Sequence, residues 1–208
     1  ITNKILNWYD LNKRSLPWRK NVSQTKKQYY TLVSEFMLQQ TQVATVIPYF
    51  KRFIKNIPNI ERLSKYDDRK LIKLWEGLGY YSRVRNLKKT AQIIVKNFNK
   101  KIPRNFLDLK SLPGIGDYTA SAISAIAVNK PIIPLDGNIE RVLKRYLFLK
   151  KQDQIKKENL HEKKKIFGIS AKRSGDYAQA LMELGALVCK PVNPKCIVCP
   201  LLKKCKSY

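Results

Sequence analysis

The sequence predicts an all-α protein of two helical lobes with a cleft between them. Three observations carry this. Residues 137–148 repeat apolar side chains at helical spacing, with Ile139, Val142, Leu143, Tyr146 and Leu147 at i, i+3, i+4, i+7 and i+8. Strand-like alternation is scarce and short elsewhere. No long flexible linker divides the 208 residues, a length that suits one large domain or two small intimate ones.

Taken in order, helices are expected near 29–40, 42–56, 68–76, 83–97, 104–111, 117–128, 137–148 and 174–188. Pro17, Pro48, Pro58, Pro103, Pro113, Pro131 and Pro134 punctuate them, because proline lacks a backbone donor and crowds the preceding turn. In the first helix Tyr29, Leu32, Val33, Phe36 and Met37 define the buried face, and Glu35 falls beside it. The helix from 137 follows the apolar run Ile132-Ile133-Pro134-Leu135 and then Asp136, a natural N-cap. Residues 150–175 are charged and read as a connection between lobes. Lys163, Lys164 and Lys165 there suit a solvated face, and His161, the sole histidine, is expected at the surface. A serine triad would have no other histidine to use.

Net charge is +27, from 42 Lys and Arg against 15 Asp and Glu, which points to a polyanionic partner. Part of the excess reflects a composition also rich in Ile and Asn. No apolar run approaches the length of a membrane span, and no long basic amphipathic helix with an aromatic face offers a membrane surface site. The alternating N-terminus does not read as a signal peptide, so an intracellular, cytoplasmic protein is expected. The first residue is Ile1, so residues preceding it are expected as well.

Two segments carry chemistry on their own terms. Leu112-Pro113-Gly114-Ile115-Gly116-Asp117-Tyr118-Thr119 joins two helical patterns. Glycines at a helix mouth leave backbone N–H groups pointing outward, and with the helix dipole these make a phosphate site. An ordinary tight helix–helix turn is the competing reading, and the basic charge favours the phosphate. The four cysteines, Cys189, Cys196, Cys199 and Cys205, follow a C-x6-C-x2-C-x5-C pattern with nothing upstream to pair with. A thiolate metal site explains them better than disulfides, and an iron–sulfur cluster suits the spacing better than zinc, whose ribbons usually present two C-x2-C pairs.

Three segments together resemble the MutY branch of helix-hairpin-helix DNA glycosylases. They are Ser34-Glu35-Phe36-Met37-Leu38-Gln39-Gln40-Thr41-Gln42-Val43, the hairpin with Asp136-Gly137-Asn138 after it, and the cysteine loop. Leu16-Pro17-Trp18-Arg19, Gly77-Leu78-Gly79-Tyr80-Tyr81 and Gln179-Ala180-Leu181-Met182-Glu183-Leu184-Gly185-Ala186 add support, so the similarity covers nearly the whole chain. The resemblance implies a single catalytic unit of two interleaved lobes. One is a helix-hairpin-helix lobe over about 22–135, and the other a cluster lobe made of 1–21 plus 136–208, with a 4Fe–4S loop at 189–205.

The implied activity is removal of adenine mispaired with 8-oxoguanine or guanine in double-stranded DNA. The base is flipped out before the N-glycosidic bond is hydrolysed. That bond breaks when the base is protonated and the oxocarbenium charge is stabilised, work for two carboxylates. By resemblance Glu35 is the acid acting at N7, with a pKa raised by partial burial. Asp136 is the charge stabiliser, held by helix N–H groups and steadied by Asn138. Tyr118 occupies the position where the similar endonuclease III family carries an attacking lysine. Tyrosine forms no Schiff base, so base removal without strand cleavage is expected. Glu140 likewise stands where some relatives have lysine. Gln40 and Tyr81 would insert into the duplex, Trp18, Arg19 and Gln179 would border the adenine pocket, and Gly114, Ile115 and Gly116 would hold the DNA backbone.

Relatives usually continue past the cluster loop into a domain that reads 8-oxoguanine, whereas this sequence stops at Tyr208. Residues 22–27 are a short insertion relative to the family pattern. A monomer is expected. The competing readings are a thymine- or uracil-mismatch glycosylase of the same superfamily, and a non-catalytic iron–sulfur DNA-binding module. Two cleft carboxylates argue against the module, since phosphate binding gains nothing from negative charge.

Overall fold

The computed structural model describes residues 1–149 and 172–208, and no β-strand occurs among them. His161 and Lys163, Lys164 and Lys165 lie outside the described residues, as does most of the charged connection. The chain divides into two compact units, Ser15–Val128 and a second made of Ile1–Arg14 with Asn129–Tyr208. The division falls at 14/15 and 128/129, where the sequence suggested 21/22 and 135/136. Burial explains the difference. Leu16 and Trp18 belong to the core of the Ser15–Val128 unit, with the Trp18 ring edge-on to Phe50, while Ile133 belongs to the other core.

The Ser15–Val128 unit contains α2 (Gln24–Leu38), α3 (Val43–Asn56), α4 (Ile60–Ser64), α5 (Asp68–Trp75), α6 (Ser82–Asn97), α7 (Phe106–Lys110) and α8 (Asp117–Ile126). Its core is built on Phe36, Phe50, Phe53 and Trp75, all essentially inaccessible. Side chains of Asn59, Asp67 and Asn105 accept backbone N–H groups in the first turns of α4, α5 and α7 at 2.8–2.9 Å. The insertion at 22–27 forms the start of α2. Ser23 is its N-cap, and Gln24 Nε2 donates to Ala127 O. Pro48, counted among the prolines that punctuate the helices, sits inside α3, the helix expected at 42–56. Pro48 and Ala44 are both exposed, so the carbonyl that lost its donor is open to solvent.

The other unit contains α1 (Thr2–Asn12), α9 (Gly137–Leu147) and α10 (Ser174–Leu187), with single 3-10 turns at Cys196–Val198 and Leu202–Lys204. Neither α1 nor α4 is expected from the sequence pattern. The first buries only Ile5, Leu6 and Tyr9, and the second is a capped five-residue turn. α10 packs on both α1 and α9 around Tyr177, Leu181 and Leu184. Two ion pairs lock α1 to α10 and its approach. Arg14 clasps the fully buried Glu183 through Nε and Nη2 at 2.8 and 2.9 Å. Arg173 clasps Asp10 through Nη1 and Nη2 at 2.9 and 2.7 Å, and its hydrogen bond holds the Asp10 carboxyl below its ordinary pKa.

Glu183 is fully buried while Arg14 is partly exposed, so removing the guanidinium takes the cation away from a desolvated carboxylate. Arg14→Ala is therefore expected to cost about 3 kcal/mol of stability, a loss a denaturant titration would read directly. A variant as stable as the parent would mean that the Glu183 carboxylate does not depend on Arg14.

Candidate active site

Glu35 lies where α2 is buried on every side. All residues from 31 to 37 are buried, and Glu35 is 6% exposed. The apolar stripe alone put it beside the buried face. Packing of α2 against α3, α6, α8 and the Pro17–Arg19 turn covers the remainder. Trp18, within that turn, is buried in the core and Arg19 is half-buried.

The hairpin runs from α7 to α8 and is fastened to α2. Gln39 Nε2 donates to Gly114 O at 3.3 Å and to Thr119 Oγ1 at 3.4 Å, and Thr90 Oγ1 donates to Pro113 O at 2.9 Å. Gly114 has φ +77, and a Cβ there would lie 2.8 Å from the Phe36 ring and 2.9 Å from Asn86 Cβ. Gly116 differs from the sequence expectation. It caps α8 with an ordinary φ of −85 and open space around it, so only Gly114 requires glycine. Ile115 is buried beneath the turn, while Tyr118 is half-buried in the first turn of α8. First-turn N–H groups there have no helical carbonyl to meet.

Two loops present the residues expected to enter a duplex. Gln40 follows α2, is exposed, and holds φ +56. Tyr81 is the N-cap of α6, behind Tyr80 at φ +46 and Gly79 at φ +69. Between α5 and α6 a cavity of about 630 Å³ is lined by Arg69, Arg85, Lys88 and Lys89, among others, and by none of the expected site residues.

In the second unit Asp136 is an N-cap and more. Its Oδ1 accepts Ile139 N–H at 2.7 Å, and its Oδ2 accepts Asn138 Nδ2 at 3.2 Å. Asn138 Oδ1 accepts Arg141 Nη2 at 2.8 Å, and Arg141 also donates to Gly185 O and Cys189 O at 2.8 Å each. Gly185 permits this close approach of α9 and α10, since a Cβ would sit 2.6 Å from Asn138 Cβ. Gln179 is buried in α10 and donates to Gly175 O of its own helix at 3.2 Å.

The cysteine loop closes on this same unit. Cys189, Cys199 and Cys205 pack against its core. Burial pushes the Cys199 thiol up, and the nearby Cys189, Cys205 and Cys196 push it further. A thiol crowded by three other sulfurs belongs to a donor set that suits a bound metal group. Arg145 braces the loop, donating to Cys189 Sγ at 3.5 Å, Lys190 O at 2.6 Å and Pro191 O at 2.8 Å. Among the described residues no three Cys, His, Asp or Glu side chains already stand in a metal-binding arrangement.

Trp18, Arg19, Glu35, Gln40, Tyr81, Gly114, Ile115, Gly116 and Tyr118 thus share the Ser15–Val128 unit. Asp136, Asn138, Gln179 and the four cysteines share the other. The sequence analysis missed Arg83, Arg141 and Arg145, whose guanidiniums bind carbonyls at helix ends and in loops. Each is an arginine near the start or on the apolar side of a strongly patterned helix, the one signal available.

Residues 33–166 match the family model described as HhH-GPD superfamily base excision DNA repair protein. The chain is 44% identical over 210 residues to the adenine DNA glycosylase of Buchnera aphidicola subsp. Schizaphis graminum (strain Sg), covering 98% of this chain and 58% of that protein. It is 45% identical over 206 residues to the adenine DNA glycosylase of Buchnera aphidicola subsp. Baizongia pistaciae (strain Bp), covering 98% and 57%. The chain therefore spans less than two thirds of these relatives. Among solved structures it is similar to a thermostable thymine-DNA glycosylase, with TM-score 0.86, 26% identity, and coverage of 100% of this chain and 94% of that one.

Gly114→Ala forces both a left-handed alanine and a clash, and is expected to cost about 1–3 kcal/mol. Gly116→Ala should cost clearly less. Thermal melts of the two variants side by side would test this, and equal losses would refute the distinction.

Proposed function

This chain belongs to the HhH-GPD superfamily of base excision DNA repair proteins, and on that premise we propose that it excises adenine mispaired with 8-oxoguanine or guanine in double-stranded DNA. The observation that carries the reading is the burial of Glu35, an acid enclosed within a basic protein. Identity of 44–45% to adenine DNA glycosylases supports adenine over thymine, against 26% to the thymine enzyme.

The reaction runs as follows. The flipped deoxyadenosine loses its base by cleavage of the C1′–N9 bond, whose electron pair leaves with adenine. Glu35 delivers a proton to N7, which makes the base a better leaving group. A carboxyl withdrawn from water retains its proton until such a partner arrives. The Asp136 carboxylate is aimed by the hydrogen bonds its oxygens accept from the Ile139 N–H and the Asn138 amide. That negative charge stabilises the oxocarbenium ion until water adds at C1′, its released proton returning to the Glu35 carboxylate. Tyr118 offers no amine, so the product is an intact abasic strand. Gln40 and Tyr81 enter the duplex beside the orphaned base, and Trp18, Arg19 and Gln179 border the adenine pocket. The N–H groups at Gly114, Ile115 and Gly116 take the DNA backbone. The protein acts inside the cell as a monomer on DNA, with its charge of +27 drawing it to phosphates.

Cys189, Cys196, Cys199 and Cys205 hold a 4Fe–4S cluster, which cross-links the C-terminal loop when bound. Arg145, already donating to Cys189 Sγ, braces that loop from α9.

Single-turnover assays on duplexes carrying A opposite 8-oxoguanine or G, developed with and without hot alkali, test the activity. Strand scission is expected only after alkali. Glu35→Gln should slow excision by a factor of about 10²–10⁴ with duplex binding retained. A wild-type rate for that variant would remove Glu35 from the acid role, and release of T but not A would hand the reading to the thymine enzyme. Protein purified without oxygen should be coloured and contain iron. Cys199→Ser should bleach it and lower its melting temperature, whereas a colourless protein with stoichiometric zinc would overturn the cluster.

A further inference from the structure

We infer that Arg83 is a positioning residue that sets the Gln40 and Tyr81 loops in register for entry into the duplex. This rests on the reading above that both side chains insert. Arg83 lies in the first turn of α6, two residues after Tyr81, and is 6% exposed. Its Nη1 donates to Met37 O at 2.8 Å, to Thr41 Oγ1 at 3.0 Å and to Gln39 O. Its Nη2 donates to Leu78 O at 2.9 Å and Gly79 O at 3.1 Å. One planar group therefore joins the end of α2 and the loop behind it to the turn that leads into Tyr81. The guanidinium also lies 5.5 Å from the Trp75 ring centre and 5.4 Å from that of Tyr80.

The physical need is clear at both loops. α2 ends in buried surroundings, where its last carbonyls require donors and its dipole favours a cation. Both loops hold a residue in the left-handed region without glycine, Gln40 at φ +56 and Tyr80 at φ +46. Such conformations persist only where the surroundings over-determine them. Arg83 supplies that restraint to the residues flanking Gln40 and to those preceding Tyr80. Arginine is required, because the ammonium of lysine is a point charge and cannot span two loops with a rigid fork.

The test places 2-aminopurine beside the orphaned base, so that insertion is seen as a rise in fluorescence, and measures single-turnover excision from the same duplex sequence. Arg83→Lys should lose most of the rise and slow excision by a factor on the order of 10², while affinity for fully paired duplex changes little. Thr41→Val, which removes a single partner and leaves the guanidinium in place, should show a smaller loss of both signals. In a Gln40→Ala, Tyr81→Ala background, Arg83→Lys should add almost nothing, since it acts through those residues. A full additional loss in that background, or an unchanged fluorescence rise in both Arg83→Lys and Thr41→Val, overturns the role of Arg83. If the Gln40→Ala, Tyr81→Ala protein itself excises at the wild-type rate, the insertion reading fails instead.

Discussion

A helix that ends inside a protein leaves carbonyl oxygens with no partner, and much of this structure answers that constraint with arginine. In the Ser15–Val128 unit the end of α2 is met by Arg83. In the other unit Arg141 and Arg145 of α9 meet the end of α10 and the backbone that leads into the cysteine loop. Glycine C-caps would satisfy some of these groups locally. A guanidinium does so from a neighbouring helix, and thereby converts a capping interaction into a tertiary one. Burial lowers the pKa of Arg83, a measure of what its desolvation costs, and five or more oxygens around it offset that cost.

α2 is the element that gathers most from this arrangement. Its buried half carries Glu35, its end is held by Arg83, and Gln39 beyond it reaches the hairpin. Gly114 lets the hairpin lie directly on Phe36 of the same helix. Glu35, the Gln40 loop and the glycine turn, which are the proposed acid, wedge and phosphate contact, are therefore referred to one segment, α2. A shift of α2 would move all three together, which suits a reaction that needs a base, a backbone and a wedge in fixed relation.

The second unit solves a different electrostatic problem with the same side chain. Asp136, the proposed charge stabiliser, accepts hydrogen bonds from the N-terminus of its own helix and from an amide. The arginine sits one step removed, fixing Asn138. Gly185 keeps α9 and α10 close enough for that chain of contacts to close.

How much of this was legible in the sequence differs by residue. Helical class, most helix positions, the glycine turn, the cap at Asp136 and the grouping of cysteines followed from local pattern, because periodicity, capping and turn chemistry act over a few residues. α1 and the short α4 escaped, because one buries only three side chains and the other is a single capped turn. The site residues were assigned largely through resemblance. What the sequence by itself determined was the helical class and most of the helices, the basic charge and the chemical groups available. The tertiary structure alone decided that Glu35 is buried on a face the stripe left open, that Trp18 joins one core and Ile133 the other, and that Arg83 belongs to two loops at once. These are contacts between residues distant in sequence, and no pattern within a single helix records them.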